Sequence, residues 1–494
     1  MLALLLALAC GPKVPSGPPL SFADAALGGA DDCAIWDDPM LRARLDRVTD
    51  TVERDGHRVT LLENGDEAFQ RRFDNAEDAE LILVKSYIFT DDEIGREVVA
   101  LLEHKARQGA TVIVQYDIKG SSAGLGELWE GLQLGQDGSL LAHKPLLAGL
   151  PEAGVHLVAT NVPRSVGGFK SWDRARSKGL EANPGLLARI TALRGFAHFD
   201  HEKYWITGHR TDDGGLELRA ILGGMNIASE YAYGGTDKVD EGSGRGGWRD
   251  TDMEVIGPVT TEIVERYLQL VELNEVTLPD ELDTSPWLEP QPEVGEATVR
   301  FVWNQPSIGN RRRIEQAYKI LVQHTPEGGI VRLENAYFTP GTSMRRQLRR
   351  ALRRDRRLAV LTNSTESTDV EIVSQASRGV YAGLLRVDPR AALYEWKPTP
   401  GLSTMHSKVA SFGACGPAIV GSANLDGQSS ERNSESVLIV RDAEFRRTFD
   451  EMYERDISRA HAHRVTKDQV KRMGLLARMK NRTIYRLAWM WLSL

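Results

Sequence analysis

The strongest constraint on this chain is that it states one polar pattern twice. His201-Glu202-Lys203 is followed by Gly223-Gly224-Met225-Asn226, and His406-Ser407-Lys408 is followed by Gly421-Ser422-Ala423-Asn424. A His-x-Lys spacing puts an imidazole and an ammonium on one face of a strand. The apolar-leaning run 409–412 supports a strand there. A turn of small residues then brings an asparagine, and in the second copy Ser422, back to the same place. One imidazole, one ammonium and one carboxamide converging make a site for a phosphate: a nucleophile or acid, a positive clamp and a hydrogen-bond donor. A single His-x-Lys arises often by chance; two, each followed by a glycine turn and an asparagine, do not.

The flanking sequence repeats as well. In the first half, hydrophobic periodicity predicts strands at 58–63, 80–89 and 110–116, with helices at 66–76 and 93–107. In the second half it predicts strands at 298–303, 329–335, 357–362 and 391–396, with helices at 311–323, 343–354 and 369–385. Alternating strands and helices give an α/β fold in which each half is a mixed, largely parallel sheet flanked by helices. Residues 160–196 are rich in polar, Gly and Pro residues and read as an insertion over the sheet edge. His201 to Gly223 is 22 residues and His406 to Gly421 is 15, so the first copy carries seven extra, in or near 208–215. A repeated sheet domain of this size implies a pseudo-twofold pair with both motifs at the interface. The Pro-rich acidic stretch 279–297 is the expected linker, folded sequence is expected from about residue 46, and the halves are 46–278 and 298–460.

Composition narrows the function. With 41% hydrophobic and 26% charged residues, the 494-residue chain belongs with folded proteins. Its formal net charge of −8 supplies no global basic field, so no nucleic acid partner is expected. Cys10, Cys33 and Cys415 cannot build a disulfide framework. A Cys33–Cys415 bridge stays open but is not expected, and Cys415 reads as a small packing residue at a turn.

The termini carry separate signals. Residues 1–10, MLALLLALAC, are too short to span a bilayer and fit the apolar region of a secretory signal. The segment resembles a bacterial lipoprotein signal in which Cys10 is lipidated, although no basic residue precedes it and alanine stands where a branched residue is usual. Residues 11–45 then form a linker, and the place implied is the bacterial cell envelope. At the other end, 461–494 form a basic tail whose Trp489 and Trp491 fit an amphipathic helix on a membrane surface, or one packed on its own domain. The arginine-rich run 345–357 reads as a solvated helix face.

The doubled pattern resembles the phospholipase D superfamily, whose halves each carry H-x-K-x4-D and a downstream G-[GS]-x-N. It is most similar to the bacterial cardiolipin synthases, in the branch marked by TNS…TD. Leu361-Thr362-Asn363-Ser364, Thr368-Asp369, Trp248-Arg249-Asp250-Thr251-Asp252 and Asn433-Ser434-Glu435 carry that likeness, which spans residues 58–460. The motif aspartates are absent: Gly208 and Gly413 stand in their places, which puts loop rigidity near the site in question.

The resemblance implies a phosphatidyltransferase acting through a phosphohistidine, with His201 and His406 as nucleophile and acid in an order the sequence leaves open. Imidazole suits both roles because one ring can be neutral and the other protonated near neutral pH. Lys203 and Lys408 would hold the non-bridging oxygens, Asn226 and Asn424 would add hydrogen bonds, and Ser422 would assist. Asp250 and Glu435 would each accept an Nδ1 proton. No cofactor and no metal is implied. The partners implied are phospholipids, with phosphatidylglycerol as acceptor and phosphatidylglycerol or phosphatidylethanolamine as donor, together with the membrane surface. A phospholipase D hydrolase, a nuclease on the same scaffold and a non-catalytic lipid-binding relic are the alternatives. His198 and His209 read as surface or loop histidines, and Tyr87, Tyr337, Phe338 and Trp396 as core or cleft wall.

Overall fold

The computed structural model describes residues 33–121, 132–134, 140–142, 145–161, 198–240, 244–274 and 276–472. The signal segment with Cys10, nearly all of the 160–196 insertion and the tail beyond Arg472 lie outside the described residues.

The first half contributes β1 (Arg54–Glu63), β2 (Leu81–Ser86), β3 (Thr111–Asp117), β4 (Leu132–Leu134), β5 (Leu140–Ala142), β6 (His156–Thr160), β7 (Tyr204–Arg210), β8 (Leu216–Gly223) and β9 (Thr251–Ile256). The second contributes β10 (Ala297–Asn304), β11 (Ile330–Asn335), β12 (Arg357–Asn363), β13 (Ala392–Trp396), β14 (Lys408–Phe412), β15 (Ala418–Gly421), β16 (Glu435–Arg441) and β17 (Ala462–Val465). Apart from the separate β4–β5 hairpin, all of them form one 15-stranded sheet, ordered β17-β13-β12-β11-β14-β15-β16-β10-β1-β9-β8-β7-β2-β3-β6. Read outward from the β1–β10 seam, the strand types match in order, and β17 is an added edge.

The structure refines the sequence reading in three places. First, the sheet is mixed but not largely parallel: only β2-β3-β6 and β11-β12-β13 run parallel. The His-x-Lys strands β7 and β14 are each joined by a short turn to the next strand, which forces antiparallel pairing. Second, the 279–297 stretch connects the helix Val259–Leu273 to β10 but is not a free spacer. β1 pairs directly with β10, and Trp287 from that stretch is buried in a core cluster shared by both halves. Third, folded structure begins before residue 46. The helix Pro39–Thr49 is capped by Asp38, which accepts from Met40 N at 2.9 Å, and Pro39 stands at its first turn. It buries Leu41 and Leu45 beside the helix Arg313–His324.

Helices cover both faces where the apolar pattern requires it. Glu93–Arg107 starts at Asp92, which accepts from Gly95 N at 2.8 Å, and ends in Lys105 and Arg107, cations that suit its carbonyl end. The helices Val259–Leu273 and Ala443–Asp456 pack across the seam, the first against β10 and the second against β1. The run read as a solvated arginine face is the helix Thr342–Arg353, which buries Met344, Leu348, Ala351 and Leu352 on its other side. Within the basic tail, Ala462–Val465 forms the edge strand β17, and the helix Lys467–Arg472 lies against the helix Glu371–Val387 and buries Val470.

The extra residues of the first copy lengthen the β7–β8 hairpin rather than adding a loop at the site. Gly208 lies within β7, where a Cβ would press on Leu216 and Leu81, and Gly413 turns the chain after β14 with φ +62°. Both sit at the far ends of strands whose first residues follow the histidines, so neither lies in a loop at the site.

Cys33 and Cys415 are paired in a disulfide with Cα atoms 5.2 Å apart, against the sequence expectation. The pairing was not legible because 382 residues separate the partners. It fastens the N-terminal segment, with buried Trp36, over the β14–β15 turn. Closing so long a loop restricts the unfolded chain, so reducing the bond or introducing Cys415→Ala is expected to cost about 2–4 kcal/mol. Calorimetry should give a lower Tm with reductant than without; equal values would contradict this.

Candidate active site

The two motifs meet across the seam. His201 enters β7 through a short parallel bridge, Asp200 beside Ser434, in which His201 N donates to Ser434 O at 3.0 Å. His406 enters β14 through the matching bridge, Met405 beside Arg249, in which His406 N donates to Arg249 O at 2.7 Å. Each histidine backbone is therefore held by a segment of the opposite half.

The side chains cross in the same way. His201 Nδ1 faces Glu435 Oε2 at 2.9 Å, and His406 Nδ1 faces Asp250 Oδ2 at 2.7 Å. An ionised carboxylate only accepts, so both Nδ1 atoms carry the proton, and in the neutral form of each ring Nε2 keeps its lone pair. Lys408 Nζ also lies 2.6 Å from His406 Nδ1. With that nitrogen's proton directed to Asp250, the ammonium's partner is the His406 carbonyl oxygen. Lys203 does the same in its half, donating to His201 O at 2.6 Å.

The two carboxylates are supported differently. Glu435 also accepts from Ser422 Oγ and Ser429 Oγ, each at 2.6 Å, and from Asn433 Nδ2 at 3.2 Å. Asp250 accepts from Thr251 N at 2.8 Å. Gly224, which corresponds to Ser422, lies so close to the Asp250 carboxylate that a Cβ there would collide with it. The shorter acid thus stands against glycine and the longer one against serine.

The asparagines do more than the sequence suggested. Asn226 Oδ1 accepts from Ile88 N at 3.0 Å, tying the end of β2 to the turn after β8. Asn424 N donates to Ser429 Oγ at 3.1 Å, and its buried Oδ1 has no partner among the described residues. Asn363 of the TNS stretch grips Met405, donating to its O at 2.6 Å and accepting from its N at 3.1 Å, and so fixes the residue before His406. Tyr337 donates to Asp369 of the TD pair.

Rings line both histidines. Tyr87 meets His201 edge-on with centroids 4.9 Å apart. Tyr231, Trp248 and Tyr337 surround His406 at 5.2, 5.1 and 6.5 Å. Phe338 and Trp396 are core residues. His198 is not a surface residue: it is buried with Nδ1 on the Arg432 carbonyl. Nor does His209 lie in a loop; it is half-buried on β7, with Nε2 3.0 Å from Thr207 Oγ1. Sequence reasoning passed over Asp200, Ser429, Tyr231 and Asp456, which have no motif of their own and matter only through what they touch.

Burial dominates the electrostatics. It pushes His201 down to about 4, with Lys203 and Lys408 adding to the effect and Glu435 opposing it. It lowers His406 as well, with Lys408 adding and Asp250 opposing. Lys203 falls to about 7, chiefly by burial and further by Lys408, and burial takes Lys408 to about 8. Burial works against the charge of Glu435 and Asp250, yet the neighbouring histidines and lysines hold both below the usual carboxylate range. The sites are felt across the seam, since Lys408 acts on His201 and Lys203 as well as on its own histidine.

Residues 329–457 match the family described as cardiolipin synthase, PLD-like domain. Cardiolipin synthase B of Salmonella typhi is 27% identical over 410 residues, covering 80% of this chain and 79% of the relative. Cardiolipin synthase B of Escherichia coli strain K12 is 27% identical with the same coverage, and a probable cardiolipin synthase of Bacillus subtilis is 25% identical over 402 residues. In fold the chain is similar to the crystal structure of phosphatidylserine synthase from Haemophilus influenzae, with TM-score 0.56 and 12% identity over 91% of this chain and 96% of that one. These matches make the chain similar to the cardiolipin synthases of the phospholipase D superfamily and support an enzyme of that type.

Because each carboxylate fixes the tautomer of the opposite half's histidine, Glu435→Gln and Asp250→Asn are each expected to lower kcat by about a hundredfold or more. Steady-state kinetics with the folded fraction checked by circular dichroism decides this; a loss below about threefold in either variant would contradict it.

Proposed function

We propose that the protein transfers a phosphatidyl group to phosphatidylglycerol through a phosphohistidine, giving cardiolipin. The observation that carries the reading is the pair of imidazoles with Nδ1 directed to a carboxylate of the opposite half, each beside a lysine. One Nε2 attacks phosphorus and forms the N–P bond. The P–O bond to the head group breaks, and the departing alkoxide takes the proton of the other imidazole, in its imidazolium form. The phosphatidylglycerol hydroxyl then gives its proton to that second imidazole and attacks phosphorus, and the N–P bond breaks. Lys203 and Lys408 offset the charge on the non-bridging oxygens in both steps.

The sequence reading supposed one neutral and one protonated imidazole, whereas burial favours the neutral form of both. A phosphodiester anion between two lysines and two imidazoles reverses that balance, because an opposite charge nearby favours the imidazolium. Substrate binding therefore takes up a proton. The donor is phosphatidylglycerol or phosphatidylethanolamine.

An envelope location fits the Cys33–Cys415 disulfide, a bond that persists in oxidising compartments. Among the described residues no helix is long and apolar enough to cross a membrane. Attachment would rest on Cys10 and the tail, and labelled lipid should appear on the protein and be lost in Cys10→Ser.

Purified protein incubated with phosphatidylglycerol, with and without phosphatidylethanolamine, should yield cardiolipin; phosphatidic acid alone would leave a hydrolase. His201→Ala and His406→Ala should each abolish turnover, and near-normal activity in either would overturn the two-histidine mechanism. The pH profile of kcat/KM should fall through about 7 to 8 as Lys203 and Lys408 lose their protons. A flat profile across the upper range would remove the lysines from the reaction.

A further inference from the structure

Beneath His406 lies a guanidinium that the chemistry above does not use. Arg249 is wholly buried. Its Nε lies 3.1 and 3.0 Å from the two Asp456 carboxylate oxygens, and its Nη2 lies 2.7 Å from Oδ2. Its Nη1 donates to the Asp250 carbonyl oxygen, to Thr251 Oγ1 at 2.9 Å and to Ser407 Oγ at 3.4 Å. Its backbone N donates to Thr404 O at 2.7 Å, and its carbonyl accepts the His406 N–H. One side chain thus touches the backbone of the carboxylate residue, the residue between His406 and Lys408, and the last turn of the helix Ala443–Asp456.

The corresponding position in the other half is Ser434. It makes the same backbone bridge, donating its N–H to Phe199 O and accepting from His201 N, each at 3.0 Å. Its hydroxyl donates to Asp200, which is held by Lys85. The His201 arm is braced by a carboxylate and a lysine of its own half. The His406 arm is braced by an arginine of one half and an aspartate of the other.

We propose that Arg249, held by Asp456, is a positioning residue that sets the separation and angle between Asp250 and His406, keeping the proton on Nδ1 and Nε2 aimed at phosphorus. The proposal rests on reading His406 as a catalytic residue. The groups facing His406 are Asp250, Lys408 and Asp369, with the rings of Tyr231, Trp248 and Tyr337; those facing Arg249 are Asp456, Glu334 and Glu63. Asp250 supports the charged form of His406. Loosening that contact therefore lowers the pH at which His406 gives up its proton, whichever step it serves.

The test uses the full chain with vesicles of phosphatidylglycerol, comparing wild type with Arg249→Lys, Asp456→Asn and Asp456→Glu. A lysine keeps the charge but cannot serve a carboxylate, a carbonyl and two hydroxyls at once. Arg249→Lys should lose about 10- to 100-fold in kcat with KM within about twofold, and the limb of the kcat–pH profile governed by His406 should move to lower pH by roughly half a unit or more. Asp456→Asn, which touches neither His406 nor Asp250, should shift the limb in the same direction, and Asp456→Glu should restore most of kcat. If Arg249→Lys does not fold, Asp456→Asn and Asp456→Glu decide the matter. Wild-type kcat and pH profile per folded molecule, even with a lowered Tm, would make Arg249 structural only and overturn the proposal. Failure of the underlying reading looks different, because His406→Ala itself would then keep its turnover.

Discussion

Antiparallel pairing of β1 with β10 joins two like halves edge to edge, and the site depends on that seam. An antiparallel contact between equivalent strands is what a twofold operator produces when it acts on a sheet edge. It turns the halves so that the segment leading into β9 or β16 of each approaches the other's His-x-Lys strand. The bridges Asp200–Ser434 and Arg249–Met405 follow, and with them the exchange of carboxylates. Neither half alone holds a histidine with its proton fixed.

Concentrating so many ionisable groups out of water is costly unless each is paired and hydrogen-bonded. Most of the arrangement meets that condition with alternating charge: Lys85 with Asp200, Arg249 with Asp456, Arg266 with Glu202, and the two histidine–carboxylate pairs between them. Glu334, whose carboxylate oxygens have no hydrogen-bond partner among the described residues, is instead pushed toward its neutral form by burial. Burial sets the protonation that the chemistry uses, because it keeps both imidazoles neutral and brings both lysines toward neutral pH. A phosphodiester would supply the missing anionic charge, so the empty and occupied sites differ in proton content.

Much of this was legible because it is local. His-x-Lys, the glycine turn and the asparagine are neighbours along the chain, and the helix Glu93–Arg107 announces itself by cap and periodicity. The repeat made the twofold readable and brought Asp250 and Glu435 forward as carboxylates. What stayed hidden is non-local. That Glu435 serves His201 rather than His406 depends on the seam, since 234 residues separate that pair. The antiparallel majority of the sheet follows from hairpins that apolar runs alone do not distinguish from parallel strands. Cys33 with Cys415, and Arg249 with Asp456, are pairings across hundreds of residues with no motif around the second partner. Gly208 and Gly413 looked like losses at the site because the family pattern is written along the sequence, whereas the strands carry them away from it.

The crossed carboxylates are the central claim, and imidazole nitrogen chemical shifts test it most directly. In protein labelled with 15N at histidine, His201 and His406 should both read as neutral Nδ1–H tautomers at pH 7. Glu435→Gln should move the His201 resonances and leave those of His406 in place, and Asp250→Asn should do the reverse. Nε2–H tautomers, or a Glu435→Gln spectrum in which His406 moves and His201 does not, would contradict the account.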